Sequence, residues 1–310
     1  MKADMTNHQV KGLPEYGRCA VFGILNITPD SFSDGGLNLS AKVAIEHGLE
    51  AMRAGVDVLD VGGESTRPGA VRVSSEEELR RVLPVVEGLV EAGAVVSVDT
   101  MRAEVARRCA EAGARVVNDV SGGLADPEML AVVADLDLPY ILMHWRGHSV
   151  DMGVRANYRD VVREVGEELA ARLAAALDAG IDPERIVLDP GLGFAKNPEH
   201  DWALLRAQEQ LQRELGRPLL IGHSRKRFLG ALLAAEDGTP RPARERDGAT
   251  LAVAAVAASR GAWAVRVHSS VAAVDAVRVA AAMTGNPAAP EPPPPAPASA
   301  DRPKPGGARW

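Results

Sequence analysis

Polar side chains stand at the ends of short apolar segments throughout this 310-residue chain. They include carboxylates, carboxamides, a hydroxyl, histidines and an arginine, namely Asn26, Glu64, Asp99, Asn118, His144, Asp189, Ser224, Arg266 and His268. If the segments are parallel strands, their carboxyl ends meet on one face, where βα loops and strand ends converge around a mouth. The repeated placement therefore predicts an active site on that face.

Two turn-rich segments follow the first two apolar runs. The first, GILNITPDSFSDGG from Gly23 to Gly36, surrounds Phe32 with polar residues, an arrangement that is costly unless the loop closes over a ligand. The second, GGESTRPGA from Gly62 to Ala70, joins glycines that permit close backbone approach to hydroxyls and to Arg67, whose forked cation suits phosphate. Either segment alone could be an ordinary surface turn.

The apolar runs have the continuous hydrophobicity of strands that are covered on both sides. We expect strands at Ala20 to Leu25, Val56 to Val61, Val95 to Val98, Arg115 to Val117, Tyr140 to Met143, Ile186 to Leu188, Leu219 to Ile221 and Ala264 to Val267. Glycines of the kind that end helices precede several runs, at Gly55, Gly93, Gly113 and Gly261. The helical half of the repeat is clearest from Tyr158 to Gly180. Its apolar stripe comprises Val161, Val162, Val165, Leu169, Leu173 and Leu177.

This alternation predicts an α/β protein, a (β/α)₈ TIM barrel over 19–284 with an N-terminal extension over 1–18. An open doubly wound sheet is the alternative, because strand order cannot be read from sequence, although no GxGxxG or GxxxxGK[ST] motif follows the first strand. Over 285–310 the composition changes to proline and alanine. Proline lacks an amide donor, so this segment is expected to be a disordered tail.

The composition of the chain excludes some classes of binding partner. A formal net charge of −7 argues against non-specific binding to nucleic acid or anionic membranes. No apolar stretch approaches a membrane span, and the N-terminus lacks the order of a secretory signal, so a cytoplasmic protein is expected. Cys19 and Cys109 have no metal-like or redox-like spacing and are predicted to be inert buried thiols.

Further motifs accompany the two loops in a fixed order between Cys19 and Met283. They are SVDT at Ser97 to Thr100, NDVSGG at Asn118 to Gly123, DPGLGFAKN at Asp189 to Asn197, SRKRF at Ser224 to Phe228 and RVH at Arg266 to His268. With these motifs the chain resembles the dihydropteroate synthases. The resemblance implies a barrel transferase that joins 6-hydroxymethyl-7,8-dihydropterin pyrophosphate to 4-aminobenzoate in folate synthesis, releasing pyrophosphate and forming 7,8-dihydropteroate. It also implies a homodimer and a sulfonamide target.

The resemblance assigns roles to individual residues. The pterin would be bound by Asp99, Asn118, Met143, Asp189, Phe194 and Lys226. The pyrophosphate would be bound by Asn26, Thr66, Arg67, Arg266 and His268. The aminobenzoate would lie against Phe32, Pro68, Lys226 and Arg227. Catalysis would depend on Asp99, Lys226, Arg266 and His268, with Mg²⁺ at Asn26. Carboxylates and an amide suit the donors of a pterin edge, and Mg²⁺ suits a site with few protein ligands.

The implied mechanism breaks the pterin C–O bond largely before the amine attacks, while cations stabilise the departing charge. We find no Ser/His/Asp or Cys/His arrangement that would supply a covalent nucleophile. Two residues depart from the family pattern. Ser269 follows RVH where an aspartate is common, and either could cap the last helix. His223 replaces a small residue and could narrow the pocket or face away. A non-catalytic pterin-binding paralogue and a methyltetrahydrofolate-binding methyltransferase domain remain as alternatives.

Overall fold

The computed structural model describes residues 9–27, 36–64, 72–147 and 155–285, with side chains in the second range from 41 onward. Strands and helices alternate along the chain. The strands are β1 (Ala20–Asn26), β2 (Val58–Gly62), β3 (Val96–Asp99), β4 (Val116–Asp119), β5 (Tyr140–Met143), β6 (Ile186–Asp189), β7 (Leu220–Ile221) and β8 (Ala264–Val267). The helices of the described residues are α1 (Gly36–Arg53), α2 (Ser75–Glu91), α3 (Ala103–Glu111), α4 (Met129–Leu136), α5 (Val161–Asp178), α6 (Pro198–Arg206), α7 (Gln208–Leu215), α8 (Arg227–Leu232), α9 (Asp247–Ser259) and α10 (Ser270–Thr284).

The eight strands form one closed parallel barrel. Their order is β6-β5-β4-β3-β2-β1-β8-β7, and a parallel bridge between Leu188 and Leu219 joins β6 to β7. The predicted TIM barrel is therefore confirmed, and the open doubly wound sheet is wrong. The register pairs Gly62 with Asp99 and Asp99 with Asn118, so the polar strand ends lie side by side.

Two apolar layers hold the barrel together. The inner layer fills the barrel and includes Phe22, Val58 and Ile141, while the outer layer lies between the sheet and the helices. Val10 and Leu13 belong to the inner layer, and the neighbouring Lys11 amide donates to the Glu184 carbonyl, just before β6 begins. The segment that precedes β1 therefore covers the amino-terminal end of the barrel, which leaves the carboxyl-terminal end for ligands.

The glycines that were predicted to end helices do lie at helix–strand junctions. All four glycines predicted to end helices have positive φ, from 82° at Gly261 to 101° at Gly113. Helix α5 lies within the predicted stretch and buries Val161, Val165 and Leu169 of the predicted stripe, while Val162 and Leu173 are half-buried. Leu177 is 40% exposed, and Ala176 is buried instead. At 3.6 residues per turn, position 177 has rotated away from the face that Val161 and Val165 share.

Several strands extend slightly past the predicted ends, because the polar residues that follow the apolar runs still join the ladder. Asn26, Asp99 and Asp189 are each the last residue of a strand. Both cysteines are buried and unpaired, as predicted, and burial raises their thiol pKa values. Within the described residues, no helix is both long and apolar enough to span a membrane. The proposed tail lies outside those residues from 286 onward, so it stays a prediction.

Candidate active site

Arg266 lies at the centre of the barrel mouth. It is in β8, and its Nε donates to Asp60 Oδ2 at 2.5 Å while its Nη2 donates to Asp99 Oδ2. Burial disfavours the guanidinium charge, but the two carboxylates outweigh it and raise the pKa of Arg266 above its usual value. The side chain keeps 18% of its surface exposed, so it spans from the buried acids to the open mouth.

Asp60 is a site residue that the sequence analysis missed. It lies inside β2, within a predicted strand, and is completely buried. An ionised carboxylate is buried only when it has strong partners, so an aspartate inside the apolar run VLDVG was the available signal. Besides Arg266, Asp60 accepts hydrogen bonds from Asn118 Nδ2, at 3.2 Å to Oδ2 and 3.4 Å to Oδ1. Asp60 thus connects β2 to β4 and β8.

Asp99 ends β3 and is 7% exposed. Burial, together with the nearby carboxylates Asp60 and Glu78, raises the pKa of this carboxyl to about 7, although the Arg266 guanidinium favours its charged form. Gly62 lies between Asp99 and Asn26: a Cβ on this glycine would be 3.5 Å from Asp99 Oδ2 and 3.7 Å from Asn26 Oδ1. The structure therefore brings Asn26 and Asp99 to the same edge of the mouth.

Asp189 and Lys226 meet on the other side of the mouth. Asp189 Oδ1 accepts from the Gly191 amide at 2.7 Å. A Cβ on Gly222 would lie 3.1 Å from Asp189 Oδ2 and 3.8 Å from Lys226 Nζ, so a side chain there would fill the space between them. Burial raises the pKa of Asp189 and lowers that of Lys226 to about 8. Asp189 and Asp201 limit the lowering at Lys226 by favouring its charged form.

The loop after β6 forms the wall around Lys226. The Lys226 ammonium donates to the Leu192 carbonyl and lies 4.7 Å from the centroid of the Phe194 ring, within cation–π range. Met143 ends β5 and is buried next to Gly191, where a Cβ would lie 3.3 Å from Met143 Cγ. The structure thus places the predicted pterin residues Met143, Phe194 and Lys226 along one wall.

The β7 and β8 loops are joined by Ser224 and His268. Ser224 Oγ lies 3.0 Å from His268 Nδ1 and accepts from the His268 amide at 3.1 Å. The sequence was expected to supply no Ser/His/Asp or Cys/His nucleophile, and this serine–histidine contact does not contradict that expectation. Because the hydroxyl is bound to both the ring and the backbone of one residue, it positions His268 rather than standing free for attack. Arg227 begins α8 with an exposed side chain, so its contact with the aminobenzoate stays a prediction.

A second cluster lies behind the β6 loop. The buried Lys196 ammonium bonds to His144 Nδ1 at 2.9 Å, the Gly191 carbonyl at 3.0 Å and the Phe194 carbonyl at 3.1 Å. On its other side, His144 Nε2 lies 2.9 Å from Glu168 Oε2. Burial lowers the pKa of His144 to about 4, so the ring is neutral, accepts from Lys196 and donates to Glu168. His144 therefore supports the loop and does not face a ligand.

Two further strand-end residues do not join the site. Glu64 pairs with Arg102 and Arg72 beside the second loop. His223 faces away from the mouth: its ring nitrogens lie 3.1 Å from the Ile221 carbonyl and 2.9 Å from the Thr250 carbonyl. This geometry settles the question that the sequence left open, since His223 packs against α9 and leaves the pocket width unchanged.

Other expectations met different outcomes. Ser269 does not cap α10, because its hydroxyl is directed to Arg225, at 3.5 Å from Nη2. Arg225 lies two residues before α8 and has an acidic partner. Arg225 forms a two-pronged pair with Asp247 at 2.6 Å and 2.7 Å. Phe32, Thr66, Arg67 and Pro68 lie outside the described residues, so their roles stay predictions.

The donor set fits a loosely held hard cation but offers no metal cage. Among the described residues, no group of three or more His, Cys, Asp or Glu side chains could hold a metal ion. The oxygens at the first-strand edge are the Asn26 carboxamide and the Asp99 carboxylate, on either side of Gly62. Mg²⁺ usually keeps several waters and takes few protein oxygens together with substrate phosphates. An amide at the mouth is compatible with that mode of binding.

The chemistry of the mouth is therefore divided. Hydrogen-bond acceptors lie at the ends of β3, β4 and β6, where Asp99, Asn118 and Asp189 are each nearly buried. Cations lie beside them, with Lys226 on the loop after β7 and Arg266 in β8. Such a mouth can bind the donor-rich edge of a flat heterocycle and place a negatively charged substituent against the cations.

Comparisons with known proteins agree with this geometry. The family model "Pterin binding enzyme" matches residues 22–268. A dihydropteroate synthase of Mycobacterium leprae is 52% identical over 84% of this chain and 92% of its own length. The corresponding enzyme of Escherichia coli is 43% identical over 84% of this chain and 89% of its own.

Solved structures give the same result. The dihydropteroate synthase of Xanthomonas albilineans with 4-aminobenzoic acid has a TM-score of 0.79 at 45% identity, covering 87% of this chain and 94% of its own. The Yersinia pestis dihydropteroate synthase with a sulfonamide drug has a TM-score of 0.81 at 38% identity, covering 89% of this chain and 98% of its own.

Proposed function

Because the chain belongs to the pterin-binding enzyme family, we infer that it is a dihydropteroate synthase, a transferase of folate synthesis. It joins 6-hydroxymethyl-7,8-dihydropterin pyrophosphate to 4-aminobenzoate and releases pyrophosphate. The observation that carries this inference is the single mouth at which Asp99, Asn118 and Asp189 lie beside Arg266 and Lys226. A methyltransferase domain of the related kind has no use for that cationic side, since its substrate carries no diphosphate.

Asp99, Asn118 and Asp189 bind the pterin in this proposal. A dihydropterin presents an amino group and ring N–H donors, and each of these residues offers an oxygen. The pterin then lies against the wall formed by Met143 and Phe194, with Lys226 at its edge. Because the acceptors are nearly buried, water competes poorly for the same donors, and the ring is held in one orientation.

Arg266 and His268 bind the departing pyrophosphate, together with Asn26 and the predicted residues Thr66 and Arg67. Cations fixed before reaction stabilise charge as it develops on the leaving group. Arg266 is held in place by Asp60 and Asp99, and His268 by Ser224. Asn26 would hold Mg²⁺, which, when bound, neutralises phosphate oxygens.

The carboxylates that bind the pterin ring also favour loss of the leaving group. As the C–O bond breaks, the methylene and the attached ring become electron-poor, and the nearby Asp99 carboxylate stabilises them. The aminobenzoate nitrogen then forms the new C–N bond. Phe32 and Pro68 are proposed to frame the aminobenzoate, together with Lys226 and Arg227. No covalent enzyme intermediate enters this scheme.

We propose a homodimer and a cytoplasmic location. Exposed apolar side chains are concentrated on α9 and α10, where Val256, Val271, Val279 and Met283 are 51–83% exposed. Such a patch on adjoining helices is typical of a surface that a second copy covers. The cytoplasmic location rests on the sequence expectation alone.

The function is tested by measuring pyrophosphate release with both substrates and Mg²⁺. We expect release only when dihydropterin pyrophosphate and 4-aminobenzoate are both present, with 7,8-dihydropteroate formed in equal amount. A non-catalytic paralogue would bind the pterin without release. A methyltransferase domain would bind methyltetrahydrofolate and release no pyrophosphate. Either result would overturn the proposal.

A further inference from the structure

Asp60 is completely buried, is not among the residues assigned to substrate, and contacts a residue from each side of the mouth. On one side it accepts from Arg266 Nε at 2.5 Å. On the other it accepts from Asn118 Nδ2 at 3.2 Å. We propose that Asp60 is a positioning residue that fixes the Asn118 carboxamide with its oxygen toward the pterin and, with the same carboxylate, aims Arg266 at the pyrophosphate. This inference rests on the proposed function.

The orientation of the Asn118 carboxamide depends on its contact with Asp60. A carboxamide carries a donor and an acceptor, and which of them faces a ligand depends on its other partner. Asp60 forms an ion pair with the Arg266 guanidinium, and its carboxylate oxygens act as acceptors. Asn118 can satisfy it only with Nδ2, so its Oδ1 must point elsewhere. Within the described part of the chain, Asn118 Oδ1 accepts no hydrogen bond. It is not completely buried, so it remains accessible to a ligand.

The orientation of Asn118 determines which groups the pocket offers to a ligand. Asp99 gives one oxygen to Arg266, and Asp189 gives one oxygen to the Gly191 amide, so each keeps a second oxygen for a ligand. With Asn118 oriented by Asp60, the ends of β3, β4 and β6 all present acceptors. The pocket is then matched to a ring edge whose groups are all donors. A reversed amide would place a donor against a ligand donor, leaving both without a partner in a buried site.

Asp60 also connects the pterin side of the site to the pyrophosphate side. Arg266 is positioned by Asp60 through Nε and by Asp99 through Nη2, and Asp99 itself is assigned to the pterin. A change at Asp60 therefore disturbs pterin recognition and the pyrophosphate side together, although Asp60 touches neither ligand. It should leave the aminobenzoate side nearly unchanged, because within the described residues the Asp60 carboxylate accepts from Arg266 and Asn118, and neither is assigned to the aminobenzoate.

The test is direct binding of 6-hydroxymethyl-7,8-dihydropterin, without turnover, to the full chain by titration calorimetry. Asp60→Asn is isosteric, but it removes the charge that pairs with Arg266 and replaces one acceptor oxygen with an NH₂ donor beside the Asn118 NH₂ group. Asn118 can relieve this donor–donor contact only by turning its oxygen toward residue 60, and it then no longer offers that oxygen to the pterin. We expect the dissociation constant for the pterin to rise about 30-fold or more, because a buried polar group left without a partner costs on the order of 2 kcal/mol. The KM for 4-aminobenzoate should change by less than about threefold, within ordinary mutational variation.

The decisive variant is the double substitution Asp60→Asn with Asn118→Asp. In it the polarity of the pair is exchanged: Asn at 60 donates to Asp at 118 and accepts from Arg266, and Asp at 118 again offers an oxygen to the pterin. We expect binding to recover to within about fivefold of the parent chain, although independent sites would give additive losses. Asn118→Asp alone sets two carboxylates against each other and should bind at least about 30-fold more weakly. A residue with a merely structural role would not be rescued in this way.

Each outcome is informative. Wild-type affinity in Asp60→Asn, or a double variant as weak as Asn118→Asp alone, would overturn the inference. If Asp60→Asn does not fold, as checked by thermal unfolding, the comparison of Asn118→Asp with the double variant still decides it. If the parent chain itself binds no pterin, the proposed function fails instead, and the two failures are thereby distinguished.

Discussion

Arg266 already has two carboxylate partners before any substrate enters, and this determines what its replacement should do. Arg266→Ala removes the cation assigned to pyrophosphate and leaves Asp60 and Asp99 without their ion pair. We expect kcat to fall by about 100-fold or more, since each 1.4 kcal/mol of lost transition-state stabilisation is about tenfold. Arg266→Lys keeps one charge but not the two-pronged contact, so it should recover only part of the rate.

Steady-state kinetics on purified protein measure this effect, with Arg163→Ala as the control. Arg163 is 57% exposed on α5 and pairs with Glu167, and neither residue is assigned to the site, so its loss should leave kcat unchanged. Full turnover in Arg266→Ala would remove Arg266 from the pyrophosphate assignment.

Lys226 should give the enzyme an alkaline limit. Burial lowers its pKa to about 8, while Asp189, Asp201 and Asp99 favour the charged form and Arg266 opposes it. The lysine is cationic below this pH and neutral above it, so binding that requires the cation weakens as pH rises. We expect kcat/KM to fall about tenfold per pH unit above 8, as titration of a single group predicts.

A pH–rate profile of Lys226→Arg provides the check. A guanidinium stays charged throughout the accessible range, so the alkaline limb should disappear even if the rate at pH 7 is lower. Persistence of the same limb in this variant would assign it to another group.

At the scale of elements, one buried lysine stabilises the loop between β6 and α6, which lines the mouth. Gly191, Gly193 and Ala195 alternate through left-handed backbone, with φ of 67°, 73° and 47°. Only Ala195 carries a Cβ there, which disfavours this conformation. Two of the loop's carbonyls accept from Lys196, and a third accepts from Lys226. Lys196 therefore stabilises the loop that presents Phe194 and surrounds Lys226.

Lys196→Met should lower the free energy of unfolding by roughly 2–4 kcal/mol, because it leaves His144 Nδ1 and two carbonyls as buried acceptors without donors. Because the pterin wall includes this loop, the KM for dihydropterin pyrophosphate should rise as well. Urea unfolding and steady-state kinetics measure the two effects. Lys42→Met, on the exposed face of α1 with 73% of its side chain accessible, is the matched control. Equal stability of the two variants would contradict the proposed support.

At the scale of the whole molecule, α9 and α10 form the surface proposed to pair with a second copy. Met283 is 83% exposed and Val279 is 56% exposed, so neither is needed for the fold of one chain. Val279→Asp with Met283→Asp should convert a dimer to a monomer, because a charge buried in an apolar interface is unfavourable without a partner. Light scattering after size-exclusion chromatography gives the mass.

Leu177→Asp is the control for this pair. Leu177 is 40% exposed near the end of α5, away from the proposed interface, so the mass of this variant should equal that of the parent. A monomeric parent chain would contradict the homodimer outright.

The sequence by itself determined the barrel and most of the site's membership. Continuous apolar runs alternate with helical stripes, and this periodicity reflects local geometry that each segment carries alone. Polar residues at the strand ends had to share one face once the strands were parallel, so Asp99, Asn118, Asp189 and Arg266 could be named in advance. The pterin and pyrophosphate roles came from the resemblance that these motifs carry.

Only the tertiary structure decided how these residues are paired. Asp60 lies inside an apolar run, and nothing local shows that Arg266, 206 positions later, is its partner. Likewise, the sequence could not show that His144 supports a loop, that His223 faces α9, or that Ser224 holds His268. Strand periodicity determines which side chains share a face, but the partner of each depends on register and on contacts between distant segments. Those contacts exist only when the barrel closes.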